Sequence, residues 1–354
     1  MKVRGVQISG QGVLGMKNNY KSIFFFFLGL ASLYLWSNVI KQKKMPNIRD
    51  WASYFVPLNI KGYSAGRIPY FEARIEDKSI KVKLDLGYQG NLSLPAEFIQ
   101  QLTAKILVGS TLSGGMKGRT YENDVYHMPS VDIGPICFFP VLADETNLEF
   151  NEDIELGTKD ENAKDDPVAI LGWRTFNSFN FLVDCIHQSL ILCDSLQTLK
   201  QHGYPTEFFT ESPLLLDRGS LDFEVMTSMG KLRCVLDTGC TFNFLNKDED
   251  DTHRVLKHGD IDLLHHFNPE NEDLMSFDLD KECKLTNFQI GDKDFGPMSF
   301  LRIKSPLDID AFIGMEFFKE TVVFFDIENR KVYFWEPLDS KAKKAKSCLD
   351  CHEN

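Results

Sequence analysis

The stretch CVLDTGCTF, residues 234–242, decides the fold. Apolar residues lead into Asp237, Thr238 and Gly239, and the chain then turns polar. An apolar run that ends at an acidic residue and a glycine predicts a buried strand followed by a tight turn. One carboxylate at the end of a strand does little alone, so the rest of the chain must be searched for a second turn of the same kind.

An internal repeat supplies that second turn. RIPYFEARIEDKSIKVKLDLG, residues 67–87, aligns without a gap with GSLDFEVMTSMGKLRCVLDTG, residues 219–239. The constant offset places Asp85 opposite Asp237 and Gly87 opposite Gly239. Apolar and polar residues alternate before both acidic residues, which predicts a strand, a turn and a second strand in each copy.

A second pair of segments repeats further along the chain. AILGWRTFNSFNFLVDCIHQSLIL, residues 169–192, aligns with AFIGMEFFKETVVFFDIENRKVYF, residues 311–334. Each segment predicts an apolar strand that ends at a glycine (Gly172 or Gly314), then a short helix and a β-hairpin. The chain therefore holds two copies of one unit. Duplication of a fold does not by itself require an Asp-x-Gly turn in both copies, which favours a shared site.

These paired elements resemble the pepsin and retropepsin group of aspartic proteases. The resemblance spans residues 67–337, and its most specific elements are VLDTG with FIGMEFF and LDLG with ILGWRTF. It implies an all-β, bilobal pepsin-like acid protease fold, made of two retropepsin-like β-barrel lobes with few helices. A chain that carries both lobes supplies both acidic turns, so the resemblance implies that a homodimer is not required.

The resemblance also implies an activity and its residues. Asp85 and Asp237 would form a catalytic dyad that shares one proton, because two adjacent carboxylates do not both ionise readily, as aspartic proteases themselves illustrate. The dyad would activate a water molecule to hydrolyse a bond in a peptide or protein substrate, without a metal or cofactor. Gly87, Thr238 and Gly239 would support the dyad.

Three residues depart from the family pattern. Leu86 stands where the family carries Thr or Ser, so we expect the Thr238 hydroxyl to lack its partner across the lobe interface, at a cost of about 1–3 kcal/mol. Tyr88 and Cys240 follow the two glycines, where Ser or Ala is common. We expect Tyr88 to crowd the dyad and Cys240 to remove a hydrogen bond from it. These departures keep open a second hypothesis, a catalytically weak or inactive pepsin-like protein that binds peptides or serves as a scaffold.

A candidate for the hairpin that covers substrate in this family is VGSTLSGGMKGRTYENDV, residues 108–125. Ser113, Gly114 and Gly115 would form its tip, and Tyr121 would be its aromatic residue. An ordinary surface loop is the alternative interpretation.

The N-terminal region contains a long apolar segment, SIFFFFLGLASLYLWSNVI, residues 22–40. It carries no charge, and about 20 apolar residues span a bilayer as a helix. We therefore predict a single-pass transmembrane anchor, with a cleaved signal peptide as the alternative. Lysines and arginines flank both ends equally, so the side of the membrane stays open. The net charge of −12 argues against a nucleic-acid partner.

The repeats and composition predict the following organisation: an N-terminal segment 1–21, the anchor 22–40, a linker 41–66, lobe one 67–200, an interlobe linker 201–216, lobe two 217–340 and a tail 341–354. Two acidic stretches, 144–166 and 246–273, are interpreted as solvated insertions. No metal is predicted, because the histidines of the second stretch lack a recognised ligand spacing.

Overall fold

The structure is a computed structural model that describes residues 54–61, 69–114, 120–146, 169–246, 276–304 and 308–337. All of these residues belong to one compact unit, Ala52–Asn354. The predicted anchor 22–40, most of both acidic stretches and the tail 341–354 lie outside the described residues. Within the described ranges, no helix is both long and apolar enough to cross a membrane.

The described chain is mostly β, as the sequence predicted. The first thirteen strands are β1 (Phe55–Asn59), β2 (Tyr70–Ile75), β3 (Lys78–Asp85), β4 (Leu92–Pro95), β5 (Ile106–Gly114), β6 (Thr120–Met128), β7 (Val131–Ile133), β8 (Ile136–Phe138), β9 (Val141–Thr146), β10 (Ala169–Gly172), β11 (Phe181–Asp184), β12 (Ser189–Cys193) and β13 (Thr210–Pro213). The remaining strands are β14 (Asp222–Thr227), β15 (Gly230–Leu236), β16 (Phe244–Leu245), β17 (Ser276–Leu285), β18 (Phe288–Ile290), β19 (Lys293–Asp294), β20 (Met298–Lys304), β21 (Ala311–Ile313), β22 (Val322–Asp326) and β23 (Lys331–Trp335).

Helices in the described ranges are short. They are α1 (Ala96–Gln100), α2 (Leu196–Gln201) and α3 (Met315–Phe318), with 3-10 turns at Trp173–Phe176 and Thr206–Phe208. The 3-10 turn Trp173–Phe176 and α3 each follow a glycine-terminated strand and precede a hairpin, as the second repeat predicted.

Three sheets organise the strands. A nine-stranded sheet, in the order β5-β6-β9-β4-β10-β3-β2-β7-β8, contains strands of the first repeat only. An eight-stranded sheet, β17-β20-β16-β21-β15-β14-β18-β19, contains strands of the second repeat only. A six-stranded sheet, β1-β12-β11-β22-β23-β13, contains one hairpin from each repeat and joins them through β11 and β22.

The two repeats pair their strands in the same register. In the first repeat, β10 runs parallel to β3 and pairs Ala169 with Val82. In the second repeat, β21 runs parallel to β15 and pairs Ala311 with Cys234. These are the positions that the sequence alignment makes equivalent, so both acidic turns begin from the same local architecture.

The inner strands β11 and β22 of the six-stranded sheet are buried on both faces, which explains why their residues before the final Asp are all apolar. On one face, Leu182 and Phe324 pack in a cluster with Leu199 of α2. On the other, the rings of Phe181 and Phe325 stack with their centroids 4.6 Å apart. This continuous core fixes the two hairpins to each other.

Two segments assigned to linkers contribute strands instead. Residues 41–66 contain β1, which pairs with β12, and residues 201–216 contain β13, which pairs with β23. Both are short strands at the edges of the six-stranded sheet. Each repeat therefore begins earlier than its Asp-x-Gly alignment indicates.

Candidate active site

Equivalent strand ends position the two aspartates. Asp85 is the last residue of β3 and lies in register with Gly172 of the parallel strand β10. Asp237 directly follows β15, and its backbone N–H donates to the carbonyl oxygen of Ile313 at 2.9 Å. Each acidic residue thus emerges from a buried parallel strand pair that leaves its backbone little freedom.

The glycines that end β10 and β21 allow the acidic loops to pack closely. A Cβ built on Gly172 would collide with the carbonyl oxygen of Gly90, and one on Gly314 with that of Phe242. The Gly314 N–H donates to Asn243 Oδ1 at 2.9 Å. Asn243 is a supporting residue that the sequence analysis missed, because nothing in its neighbourhood distinguishes it from an ordinary turn residue.

The two carboxylates meet across the pair of turns. A Cβ built on Gly87 would lie 2.6 Å from both carboxylate oxygens of Asp237, and one on Gly239 would collide with the Asp85 carboxylate. The absence of a side chain at both glycines is therefore what admits the opposite carboxylate. The side chains of Asp85 and Asp237 hydrogen-bond to each other. The structure thus brings together the two residues that the sequence paired.

Backbone N–H groups hold the carboxylates within their turns. Asp85 Oδ1 accepts the backbone N–H of Tyr88 at 2.9 Å, and Asp237 Oδ1 accepts that of Gly239 at 2.8 Å. Asp237 Oδ2 also lies 2.9 Å from Cys240 Sγ, which donates its thiol hydrogen. The expectation that Cys240 removes a hydrogen bond from the dyad was therefore wrong, because the thiol replaces the hydroxyl as donor.

The electrostatics of the pair differ from those of isolated carboxylates. Burial, together with the neighbouring Asp237 charge, raises the pKa of Asp85 well above its usual range. Burial and the Asp237 charge also raise the pKa of the Cys240 thiol. Cys240 therefore remains a protonated donor, and Asp85 retains its proton more readily than an isolated aspartate does.

The Thr238 hydroxyl links the two turns as both a hydrogen-bond acceptor and a hydrogen-bond donor. Its Oγ1 accepts the backbone N–H of Leu86 at 3.1 Å and donates to the carbonyl oxygen of Leu84 at 2.7 Å. Both partners are backbone groups of the other repeat. The expectation that Leu86 leaves this hydroxyl without a partner was therefore wrong. The Leu86 side chain is fully buried and adds apolar contact.

We predict that Thr238→Val lowers the free energy of unfolding by about 2–4 kcal/mol, because it leaves a buried N–H and a buried carbonyl of the other repeat unpaired. Thr238→Ser keeps the hydroxyl and loses one methyl group, so we expect a loss of about 1 kcal/mol. Urea unfolding of both variants measures the difference. Equal losses in the two variants would show that the hydroxyl does not link the repeats.

Contrary to the expectation from the sequence, Tyr88 does not crowd the dyad. Its ring lies against Gly90 and Gly172, where a Cβ on either glycine would overlap it. Its hydroxyl hydrogen-bonds to Asp144 Oδ1 of β9. The ring thus fills space that the two glycines leave open, while the aspartates contact each other directly.

Strands β5 and β6 form the antiparallel hairpin that the predicted flap requires. Ser113 pairs with Tyr121, and Gly114 pairs with Thr120. Gly115 lies outside the described residues. The segment is thus a strand hairpin at its base, and its action on substrate stays a prediction.

Comparisons with known proteins give similarity to solved structures but none to known sequences. The sequence matches no protein-family model, and it has no significant match among curated proteins. Among solved structures, the crystal structure of basic 7S globulin from soybean is similar over 80% of this chain and 94% of that chain, with 10% sequence identity and a TM-score of 0.48. The case for a function therefore rests on the geometry of the two acidic turns.

Proposed function

We propose that this protein is an aspartic-type endopeptidase with a bilobal pepsin-like fold, in which Asp85 and Asp237 form the catalytic dyad. One observation carries the proposal: two equivalent turns, one from each repeat, bring their carboxylates into hydrogen-bond contact, and each glycine lies against the opposite carboxylate. A purely structural duplication has no need to place two carboxylates against each other, because two adjacent like charges repel.

We assign a different role in the reaction to each carboxylate. Burial and the neighbouring Asp237 charge favour the protonated form of Asp85, so we assign Asp85 as the proton donor and Asp237 as the base. Asp237 takes a proton from a bound water while Asp85 donates its proton to the scissile carbonyl oxygen. The water oxygen bonds to the carbonyl carbon and gives a tetrahedral diol.

Collapse of the diol completes the reaction. Asp237 passes its proton to the amide nitrogen, the C–N bond breaks, and a diol hydroxyl returns a proton to Asp85. The products are one new carboxyl group and one new amine, and the dyad regains its starting protonation. No covalent bond to the protein forms at any step. Because one chain supplies both aspartates, we propose that a second copy is not required.

Peptide cleavage by the full-length chain, purified in mild detergent, tests the proposed activity. The chain is incubated with a diverse peptide pool from pH 3 to 8, with and without a peptide inhibitor that carries a statine hydroxyl, and mass spectrometry identifies the products. We expect new peptide termini that the inhibitor suppresses. A folded chain that binds pool peptides without producing any termini would support the scaffold hypothesis instead.

We also propose that residues 22–40 anchor the protein in a membrane, since their uncharged length matches a bilayer-spanning helix. Deletion of residues 1–53 is expected to move the protein from the membrane pellet to the supernatant after alkaline carbonate extraction. Antibody detection in both fractions measures the change. If the full chain is extracted as completely as the deletion variant, residues 22–40 are not an anchor.

A further inference from the structure

The two repeats hold their aspartates differently at equivalent positions. Cys240, the residue after the second glycine, donates its thiol directly to the Asp237 carboxylate. Tyr88 occupies the equivalent position of the first repeat, but only its backbone N–H reaches the Asp85 carboxylate. The Asp85 carboxylate is therefore held by backbone N–H groups of its own turn, those of Tyr88 and Gly87, and its position depends on where that backbone lies.

The contacts of the Tyr88 side chain restrict where that backbone can lie. Its ring is confined by Gly90 and Gly172, since a Cβ built on either glycine would overlap ring atoms. Its hydroxyl donates to Asp144 Oδ1. Burial and the Asp144 charge raise the pKa of the Tyr88 hydroxyl, which therefore stays a donor at physiological pH.

Asp144 itself is held at a junction of three strands. On β9 it lies in register with Ser93 of the parallel strand β4 and with Val125 of the antiparallel strand β6. The Ser93 side chain hydrogen-bonds to both Tyr88 and Asp144, and its Oγ lies 2.5 Å from Oγ1 of Thr146. The acceptor for the Tyr88 hydroxyl is thus part of a half-buried polar network anchored in the nine-stranded sheet.

We propose that Tyr88 and Asp144 are positioning residues for Asp85: their hydrogen bond fixes the turn whose backbone N–H holds the Asp85 carboxylate. This inference rests on the proposed peptidase function. In the second repeat the Cys240 thiol holds its aspartate directly. In the first repeat the Tyr88–Asp144 hydrogen bond would hold Asp85 indirectly, through the backbone of the turn. A positioning role affects the chemical step, so kcat changes while KM changes little.

Steady-state kinetics of the full-length chain on one cleaved peptide test the proposal. Tyr88→Phe keeps the ring packing and removes the hydroxyl, and Asp144→Ala removes its acceptor. We expect each to lower kcat about tenfold, and the double variant to lose no more than either alone, because each already removes the Tyr88–Asp144 hydrogen bond. Asp144→Asn keeps an acceptor oxygen and is expected to stay within about threefold of wild-type kcat.

Tyr204→Phe is the matched control. The Tyr204 hydroxyl donates at 2.9 Å to Asp184, at the end of a strand of the six-stranded sheet, whereas the strands that lead into the acidic turns belong to the other two sheets. We expect this variant to lower the melting temperature without changing kcat.

Wild-type kcat in Tyr88→Phe, multiplicative losses in the double variant, or equal losses in Asp144→Asn and Asp144→Ala would each overturn the proposal. The Asn and Ala comparison decides the matter even if Tyr88→Phe fails to fold. A wild-type chain that cleaves no peptide would overturn the proposed function and this inference with it, whereas active variants would overturn the inference alone.

Discussion

Asp85→Asn is expected to lower kcat/KM about 1,000-fold or more, since it removes the proton donor of the proposed reaction. The same variant is expected to be more stable than the wild type at neutral pH. Burial and the Asp237 charge raise the pKa of Asp85 in the folded chain, so ionising this group opposes folding. Asn carries no such charge and forms hydrogen bonds in the same place.

The sign of this effect depends on pH. Because the pKa of Asp85 is higher in the folded chain than in the unfolded chain, the folded chain binds more protons between the two values. The wild-type free energy of unfolding therefore falls as pH rises from about 4, the usual value for Asp, through the raised pKa. Thermal unfolding of Asp85→Asn and wild type at several pH values should show a difference that grows with pH.

Asp77→Asn is the control for this pair of effects. Asp77 lies between β2 and β3, in the same hairpin as Asp85, and its side chain is 86% exposed. We expect both its kcat/KM and its stability to match wild type at every pH. A stability gain for Asp85→Asn that does not change with pH would show that the pKa of Asp85 is not raised in the folded chain.

Gly87→Ala is expected to lower kcat/KM at least about 100-fold, because its Cβ would occupy the space of the Asp237 carboxylate. The carboxylate must then move away from Asp85, and their shared hydrogen bond is lost. Hydrolysis rates of a single pool peptide measure the effect, with circular dichroism to confirm that the variant folds.

Gly109→Ala provides the comparison for folding. A Cβ built on Gly109 meets no atom within 4 Å, so we expect its melting temperature to stay at the wild-type value. Gly87→Ala with wild-type kcat/KM would mean that the two carboxylates act from another arrangement than the one described.

The sequence predicted the parts of the fold that repeat. The alignment of Asp85 with Asp237 and of Gly172 with Gly314 required only a constant offset, and the parallel strand pairs have the register that this alignment implies. Strand β1 was missed because its short stretch, FVPLN, carries no repeat signal and contains a proline. A strand of this kind is defined by the sheet edge on which it lies.

The departures from the family pattern were misjudged for a different reason. A sequence shows which side chain stands at a position, but not whether its partner is a side chain or a backbone group. Thr238 finds both partners in the backbone around Leu86, and Cys240 donates through its thiol. Tyr88 fits because Gly90 and Gly172 leave room for its ring, which only the three-dimensional packing reveals.

The most direct test of the central claim is the rate at which wild type and Asp237→Asn cleave the same peptide, measured by mass spectrometry on matched preparations of the full-length chain at the pH of highest wild-type activity. If the two turns form one active site, the variant keeps its fold and its products disappear. Product formation by Asp237→Asn at the wild-type rate would contradict the account, because the cleavage would then not depend on the carboxylate pair.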